Sequence, residues 1–383
     1  MAHTQEDAMF NKSVAVLEIG SQKVTCVIAQ RGVNGTFIIK SIAESEYDGF
    51  DCGKFFSKNS VSQAILSVIE ETTKNSRARI TDLYVGVPGE FSTVRTKKHT
   101  LAFNGKRRIR EKEVRELYTA FELGKDSDYF ITDVSAIYFE LDDSRRVLHP
   151  EGIRTYKLTG YLSYLLCTKD FGYIIKNTCR TADVKNVHFV SESLGECDYL
   201  FSEEQKEYPR VLIDCGYLTT NVCVAYGRGV LFQKAFSYGG GYITAELIDA
   251  LGIDFEFAEK LKRIVNLGLD LSVNGKYTVN LNDDYETVPV EKTNLAVRAC
   301  IDELAGRISS ILSDWKIEPD RNVPFALTGG GISYMRGAKE LLSSRLGTGV
   351  YVAVPAVPSL NLPDKAACLS LLDRALKKAY GVL

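Results

Sequence analysis

One pattern occurs twice in this chain and constrains its fold more than any other feature. Residues 14–29 and 211–225 each read as an apolar segment, an acidic residue, a glycine two positions later, a short polar stretch and a second apolar segment. Glu18 and Asp214 hold the equivalent acidic positions. This order is typical of a β-hairpin whose tight turn carries the glycine. The repeat predicts two related halves that face each other.

Each half continues as an alternation of strands and helices, which predicts an α/β fold. In the first half, Ser60 and Gln63 read as a capping box, and the apolar residues that follow recur at helical spacing. In the second half we predict helices over residues 242–251 and 333–345. A long helix between them has one apolar stripe, formed by Val297, Ile301, Leu304, Ile308, Ile311 and Trp315.

The residues between the halves predict a different unit, a small α+β insertion over residues 83–165. We expect strands over 91–96, 131–141 and 155–167 around a helix that ends at Gly124. The insertion carries a basic run, formed by Arg95, Lys97, Lys98, Lys106, Arg107, Arg108 and Arg110. This run is either a solvated surface or a contact surface for an acidic partner.

The composition is typical of a globular protein and excludes several function classes. The chain has 383 residues, 45% hydrophobic and 25% charged, and its formal net charge of −2 gives no positive field for nucleic acid or anionic lipid. The chain has no run of about 18 apolar residues, so we expect no membrane-spanning helix. Its first residues are mostly polar, so we expect no secretion signal. Nine cysteines without a CxxC pair and four scattered histidines disfavour thiolate metal sites and histidine-based catalysis.

The glycine turns predict a site for nucleotide phosphates. Backbone N–H groups in such turns can cradle phosphate oxygens, and glycine lets a phosphate approach closely. In the first turn, Gly20, Ser21, Gln22 and Lys23 are placed to contact the β- and γ-phosphates, Lys23 as a point charge.

Two further groups complete the predicted site. Glu18 and Asp214 stand just before the turns, where an acid can hold a hydrated Mg²⁺. The three glycines at 329–331 precede a predicted helix and would let a purine and ribose lie close to the backbone. Glu259 and Lys262 share one helix face and are placed to bracket the ribose hydroxyls. The alternatives are a packing turn for the glycines and a surface ion pair for Glu259 and Lys262.

The order of these motifs resembles that of the actin–Hsp70–sugar kinase superfamily and, more narrowly, of FtsA, the bacterial cell-division actin homologue. Residues 18–23 resemble the phosphate 1 motif, and 213–221 resemble phosphate 2. Residues 236–244 resemble the family's glycine turn and the helix after it, and 327–332 resemble the adenosine motif. The insertion looks like the FtsA 1C subdomain, which separates FtsA from actin, the chaperones and the kinases.

The resemblance covers nearly the whole chain and implies its architecture. The implied fold is an actin-like (ribonuclease H-like) duplicated α/β fold, with two domains around a nucleotide cleft and an inserted small α+β subdomain of the SHS2 type. The implied boundaries are a flexible N-terminus (1–12), actin-like domain 1 (13–82), the inserted 1C subdomain (83–165), a return to domain 1 with a crossover (166–209), actin-like domain 2 (210–360) and a C-terminal core helix (361–383).

The resemblance also implies the cofactors ATP and Mg²⁺. Glu18 and Asp214 would hold the metal through water, and Asp214 is the candidate catalytic residue. The implied nucleotide-binding residues are Gly20, Ser21, Gln22, Lys23, Gly216, Thr219, Thr220, Gly239, Gly240, Gly241, Glu259, Lys262, Gly329, Gly330, Gly331 and Ile332. The implied function is a polymerising scaffold that ties the FtsZ ring to the membrane, on the cytoplasmic side of the division site. Its partners would be FtsZ, copies of itself and other division proteins, with no nucleic acid.

The chain departs from the family's pattern in both phosphate motifs. Glu18 stands where the family has Asp, Tyr217 and Leu218 stand where it has glycines, and Asn221 stands where it has Asp. Side chains at a phosphate turn either clash with the nucleotide or reshape the turn. Since each lost amide–phosphate bond costs about 1.5–3 kcal/mol, we expect weak ATP binding with slow or absent hydrolysis. A nucleotide-free pseudo-ATPase is the alternative.

The last predicted helix, over residues 364–380, has an apolar stripe and the basic residues that a helix C-terminus favours. FtsA proteins typically end in an amphipathic helix that lies in the bilayer interface. We interpret 364–380 instead as a core-packed helix. We therefore expect only indirect contact with the membrane, unless a further C-terminal helix lies beyond the given sequence. Two alternative functions stay open, an assembly adaptor such as PilM and a small-molecule kinase of the same superfamily.

Overall fold

The computed structural model describes residues 13–32, 36–269, 274–281, 284–315, 322–358 and 360–381. The flexible N-terminus predicted over residues 1–12 lies outside these ranges. The described helices are α1 (Lys58–Ser76), α2 (Glu111–Tyr118), α3 (Lys169–Thr181), α4 (Glu192–Leu200), α5 (Gly240–Leu251), α6 (Phe255–Ile264), α7 (Val290–Asp314), α8 (Ala338–Leu346) and α9 (Ala366–Ala379).

The first half contains a five-stranded sheet. Its strands are β1 (Ser13–Ile19), β2 (Lys23–Arg31), β3 (Phe37–Glu46), β6 (Asp82–Val87) and β11 (Asn186–Ser191), and a small hairpin of β4 (Phe50–Asp51) and β5 (Lys54–Phe55) follows β3. The order is β11-β6-β1-β2-β3. β1 and β2 pair antiparallel from Ser13–Gln30 to Ile19–Val24, which confirms the first predicted hairpin. β6 runs parallel to β1, and β11 runs parallel to β6.

Helices cover both faces of this sheet because β1 is apolar on both sides. Successive side chains of a strand point to opposite faces. Leu17 and Ile19 pack with α1 and α3, whereas Val14 and Val16 pack with α9 on the opposite face. The sheet is therefore the middle layer of a three-layer sandwich.

The start of α1 differs from the prediction of a capping box at Ser60. The helix begins at Lys58, and the Oγ of Ser57 accepts the N–H of Ser60 at 3.1 Å, so Ser57 is the N-cap. Ser57 takes this place because its extended backbone (φ −140°, ψ 115°) directs its hydroxyl at the first turn. The predicted apolar stripe is confirmed, since Ile65, Val68 and Ile69 are buried.

The insertion contains a four-stranded antiparallel sheet. Its strands are β7 (Ser92–Arg108), β8 (Tyr129–Leu141), β9 (Arg146–Val147) and β10 (Arg154–Thr168), in the order β7-β10-β8-β9. Helix α2 ends at Tyr118, six residues before the predicted stop at Gly124. The hydroxyl of Thr119 donates to the carbonyl of Arg115 at 3.0 Å, which ends the last turn. Phe121 then packs on Tyr164 from an irregular segment, with ring centroids 4.6 Å apart.

The second half repeats the topology of the first. Its strands are β12 (Arg210–Cys215), β13 (Thr219–Tyr226), β14 (Gly229–Ser237), β17 (Phe325–Thr328) and β18 (Val350–Val352), in the order β14-β13-β12-β17-β18. β12 and β13 pair antiparallel, which confirms the second predicted hairpin, and β17 runs parallel to β12 as β6 does to β1. A hairpin of β15 (Lys276–Leu281) and β16 (Asp284–Pro289) completes this half.

Several helix limits in the second half differ from the predicted ones. Helix α5 begins at Gly240, two residues before the predicted start. Helix α8 begins at Ala338 rather than Ser333, because Gly337 has a left-handed backbone (φ +82°) that breaks any earlier helical turn. On α7, the predicted stripe is buried from Val297 to Ile308, but Trp315 follows the helix end and is 57% exposed.

The C-terminal helix α9 packs on the first sheet. Pro363–Lys365 forms a short 3₁₀ turn before it, and Leu371, Leu372 and Ala375 are buried against β1 and β2. This confirms the prediction of a core-packed helix. Across the described ranges, none of the helices has the length and apolar character that crossing a membrane requires.

Candidate functional site

A cavity of about 630 Å³ lies between the two halves, where the turns of both hairpins meet. The structure brings most of the predicted site residues together around it. Those that line the cavity are Glu18, Gly20, Ser21, Gln22, Lys23, Asp214, Gly216, Thr219, Glu259, Lys262, Gly329, Gly330 and Gly331.

Five predicted residues lie behind the cavity wall, namely Thr220, Gly239, Gly240, Gly241 and Ile332. The N–H groups of Gly240 and Gly241 donate to the carbonyls of Gly216 and Tyr217 at 2.9 and 2.7 Å. The Thr220 hydroxyl donates to the carbonyl of Tyr238 at 2.5 Å, and Ile332 is buried in the second core. These residues brace the second turn instead of facing a ligand.

Gly240 stands where two glycine turns touch. A Cβ atom at this position would lie 2.8 Å from the Cα and the carbonyl oxygen of Gly331, which is closer than packed atoms allow. The middle one of the three glycines at 239–241 and the last of those at 329–331 therefore serve close packing around the second turn as much as ligand approach.

In the first turn, Lys23 is not a free charge. Its Nζ pairs with Glu44 at 2.7 Å, and Lys365 pairs with the same carboxylate at 2.9 Å. The Tyr47 hydroxyl donates to the carbonyl of Gly20 at 2.7 Å and so holds the first turn in place. A phosphate that recruited Lys23 would have to compete with Glu44.

The second turn binds the first turn directly. The N–H of Leu218 donates to the Oγ of Ser21 at 2.9 Å. The Leu218 amide, which the phosphate 2 motif would offer to a phosphate, is thus satisfied inside the protein. This bond also closes the two halves against each other at the cavity.

Tyr217 extends from the second turn to the predicted ribose pair. Its hydroxyl donates to Glu259 at 3.4 Å, and the Nζ of Lys262 lies 5.2 Å from its ring centroid. Lys262 pairs with Glu259 at 2.6 Å and donates to the Thr244 hydroxyl at 2.7 Å and to the Gly240 carbonyl at 3.1 Å. Glu259 and Lys262 therefore form a mostly buried ion pair, which corrects the alternative of a surface pair, and Tyr217 contacts both.

Sequence reasoning missed two acidic residues of the cavity, Glu192 and Glu196 on α4. The available signal was an N-cap serine, Ser191, after an apolar strand, followed by acids one helical turn apart. One oxygen of each carboxyl is buried and has no hydrogen-bond partner among the described residues. Both side chains enter the cavity beside Glu18 and Asp214.

These four carboxyls oppose one another's ionisation. Glu18 and Asp214 retain some exposure to the cavity, but burial by the surrounding protein raises the pKa of Glu18 to about 7 and that of Asp214 to about 6. Burial and then the charges of Glu18 and Asp214 raise the pKa of Glu192 well above its ordinary range, and burial and then Asp214 do the same to the pKa of Glu196. A hydrated cation placed among them would favour their charged forms.

The residues present fit a water-held cation and do not form a direct metal cage. Within the described part of the chain, no three histidine, cysteine or acidic side chains form a group that could hold a metal ion. The unpartnered oxygens of Glu192 and Glu196 are acceptors that water around a cation can satisfy.

Comparison with known proteins places the sequence beside FtsA. The family model "Cell division protein FtsA" matches residues 211–370. FtsA of Enterococcus hirae is 22% identical over 93% of this chain and 81% of its own length. FtsA of Pseudomonas aeruginosa is 22% identical over 90% of this chain and 83% of its own length. The resemblance to the FtsA cell-division proteins is confirmed.

Several solved structures share the fold of this chain. The PilM–PilN type IV pilus biogenesis complex matches with a TM-score of 0.63 at 17% identity, over 95% of this chain and 98% of that one. MreB5 of Spiroplasma citri bound to ADP matches with a TM-score of 0.55 at 10% identity, over 96% and 98%. A MamK double helical filament matches with a TM-score of 0.53 at 12% identity, over 96% and 99%. The predicted actin-like fold is confirmed.

Proposed function

We propose that this protein is an actin-like scaffold of bacterial cell division, which recruits or tethers the FtsZ ring and assembles with copies of itself. The observation that carries the proposal is the similarity to FtsA proteins along about nine-tenths of the chain. The MamK neighbour was solved as a filament, which supports self-assembly of a chain with this fold. We place its work on the inner face of the membrane at the division site.

We further propose that the cavity binds ATP with Mg²⁺. MreB5, which shares the fold, was solved with ADP, and this supports a nucleotide in the cleft between the halves. Residues 20–22 and 329–331 would contact the nucleotide, and Glu18 and Asp214 would hold the cation through water. Mg²⁺ supplies positive charge that offsets both the phosphates and the buried carboxyls.

We propose that this binding is weak and that hydrolysis is slow or absent. The Leu218 amide bonds Ser21 instead of a ligand, and Tyr217 and Lys262 both contact Glu259. Asp214 is the one predicted base, and the altered second turn beside it argues against efficient catalysis. The nucleotide would then hold the two halves together, and its hydrolysis would not drive the function.

A second candidate is an assembly adaptor of the PilM kind. It has support from the PilM–PilN complex, with its TM-score of 0.63. At 17% identity this likeness concerns the fold alone, whereas the sequence similarity to FtsA extends along the chain. FtsA is therefore the better guide to function.

Co-sedimentation with purified FtsZ tests the scaffold proposal. The chain is expected to pellet with FtsZ polymers formed with GTP and to stay in the supernatant when GTP is omitted. Equal amounts of the chain in the pellet with and without polymers would contradict FtsZ binding. Capture of the chain by a PilN-type protein in a parallel pull-down would then favour the adaptor.

A further inference from the structure

Within the part of the chain that the structure describes, the outer edge of strand β7 carries no partner strand. Among the described residues β7 pairs only with β10, and it is the end strand of its sheet. It spans 17 residues, far longer than the usual five or six of a strand, and its pairing with β10 is regular from Ser92 to Ala102 and irregular between Ala102 and Arg107. An edge strand presents a row of N–H and C=O groups along its free side, which can pair with another extended chain.

The charge along this edge is of one sign. β7 contains six cations and no acidic residue, although the whole chain has a net charge of −2. Within the described residues, Arg107 alone among them forms an ion pair, with Glu113 at 2.6 Å. The other five are exposed and form none; they are Arg95, Lys97, Lys98, Lys106 and Arg108.

Two of these cations are held in place by aromatic rings on opposite faces of the sheet. The Nζ of Lys97 lies 5.7 Å from the ring centroid of Phe121, and that of Lys98 lies 5.0 Å from the ring centroid of Tyr161. Because Lys97 and Lys98 are consecutive in a strand, their side chains lie above and below it. A strand added beside them would have a cation near its side chains on either face.

Lysines on an edge strand commonly serve to prevent pairing between copies of the same protein. In this protein the lysines of β7 also restrict which extended segments can pair with its free edge. Two β7 edges from two copies would bring five unpaired cations against five more, and this repulsion disfavours the pairing of β7 with the β7 of a second copy. The same charges attract a strand that carries carboxylates, since opposite charges across a strand pair stabilise it.

We propose that the free edge of β7 binds an acidic, extended segment of a partner protein by strand addition. Backbone hydrogen bonds to the edge would give the affinity, and the cations on both faces would select acidic side chains. This inference does not depend on FtsZ binding or on the nucleotide site.

A labelled peptide with glutamate at alternate positions and threonine or valine between them tests the proposal by fluorescence anisotropy. The double variant Lys97→Glu, Lys98→Glu is expected to weaken binding by about tenfold or more, since it replaces two favourable ion pairs by repulsion. Lys74→Glu, Lys292→Glu makes the same change of charge at exposed positions of α1 and α7, outside the insertion, and is expected to bind as the wild type does. Thermal melts establish that both variants fold.

A second peptide distinguishes strand addition from simple charge attraction. It has proline at the intervening positions and N-methylglutamate in place of glutamate, so that none of its internal backbone amides can donate a ladder hydrogen bond. We expect it not to bind, and we expect the first peptide to slow amide hydrogen exchange in β7. No binding of the first peptide, equal binding of the proline peptide, or equal loss in both double variants would overturn the proposal.

Discussion

Replacing Tyr217 and Leu218 by glycine is expected to tighten the binding of Mg-ATP. In the wild type the Tyr217 ring contacts Glu259 and Lys262, the two residues predicted to hold the ribose. Leu218 donates its amide to Ser21, the residue predicted to contact phosphate. Glycine at both positions removes the ring and the isobutyl group and lets a phosphate approach both amides.

The size of the effect follows from the hydrogen bonds that are exchanged. A neutral bond such as that from Leu218 to Ser21 contributes about 1 kcal/mol, and an amide bond to a phosphate about 2 kcal/mol. Two amides that gain about 1 kcal/mol each give about 2 kcal/mol, which is roughly a thirtyfold lower dissociation constant. The Tyr217 hydroxyl adds little to this difference, because its contact with Glu259 is long at 3.4 Å.

Isothermal titration calorimetry with Mg-ATP measures the change directly. Thermal shift gives a second readout, because a ligand that binds only the folded protein stabilises it by mass action. The matched control is Tyr217→Phe, which keeps the ring and loses only the hydroxyl, and it is expected to bind as weakly as the wild type. If the glycine double variant keeps its thermal transition and binds Mg-ATP no better, the blocked-turn explanation is wrong. Robust ATPase activity of the wild type would refute it as well.

Three further predictions concern stability, pH and assembly. Asp133→Asn should lower the free energy of unfolding in urea by about 3–5 kcal/mol, because it removes the buried carboxylate that pairs with both Arg374 and Lys378. Burial raises the pKa of Asp133, but the nearby charges of Arg374 and Lys378 outweigh burial and lower that pKa. The contribution of Asp133 to stability is therefore present above about pH 4 and is lost below it. Because the pKa of Glu196 is raised, its contribution to stability is fully present below the ordinary pKa of a glutamate and is lost as the pH rises, so Glu196→Gln should weaken the fall of the melting temperature at higher pH. Arg108→Glu should reduce the oligomers that light scattering detects while the chain stays folded. Arg107→Glu also breaks the ion pair with Glu113 and should therefore lower the melting temperature as well. A wild type that is strictly monomeric under all nucleotide and salt conditions would contradict the assembly prediction.

The hairpins and their turns could be predicted from the sequence because local patterns encode them. A glycine two residues after an acid, between two apolar runs, leaves few conformations for residues 18–23 and 213–221. The duplication then implied that the two turns face each other. The structure meets this expectation in the matching strand orders of the two sheets and in the bond between Leu218 and Ser21.

What the sequence did not predict depends on contacts between distant residues. The partner that engages Lys23 is Glu44, and Lys365 shares that carboxylate from the other end of the chain. Glu192 and Glu196 stand on a short helix whose sequence resembles any capped surface helix. Only the packing of α4 between the halves turns their carboxyls into the cavity, and no local pattern reports that packing.

The position of those carboxyls depends on the insertion and on the C-terminal helix. Asp133 of β8 accepts the N–H of Ser191 at 2.8 Å, just before α4, and pairs with Arg374 of α9 at 2.9 Å. Arg374 also pairs at 2.9 Å with Asp198, near the end of α4, and Lys378 pairs with Asp133 at 2.7 Å. The helix that carries the cavity acids is thus held near both ends by one largely buried ion-pair network. A cation or nucleotide that changes the ionisation of those acids would act on a helix that is tied to the insertion, and the insertion holds the basic edge of β7.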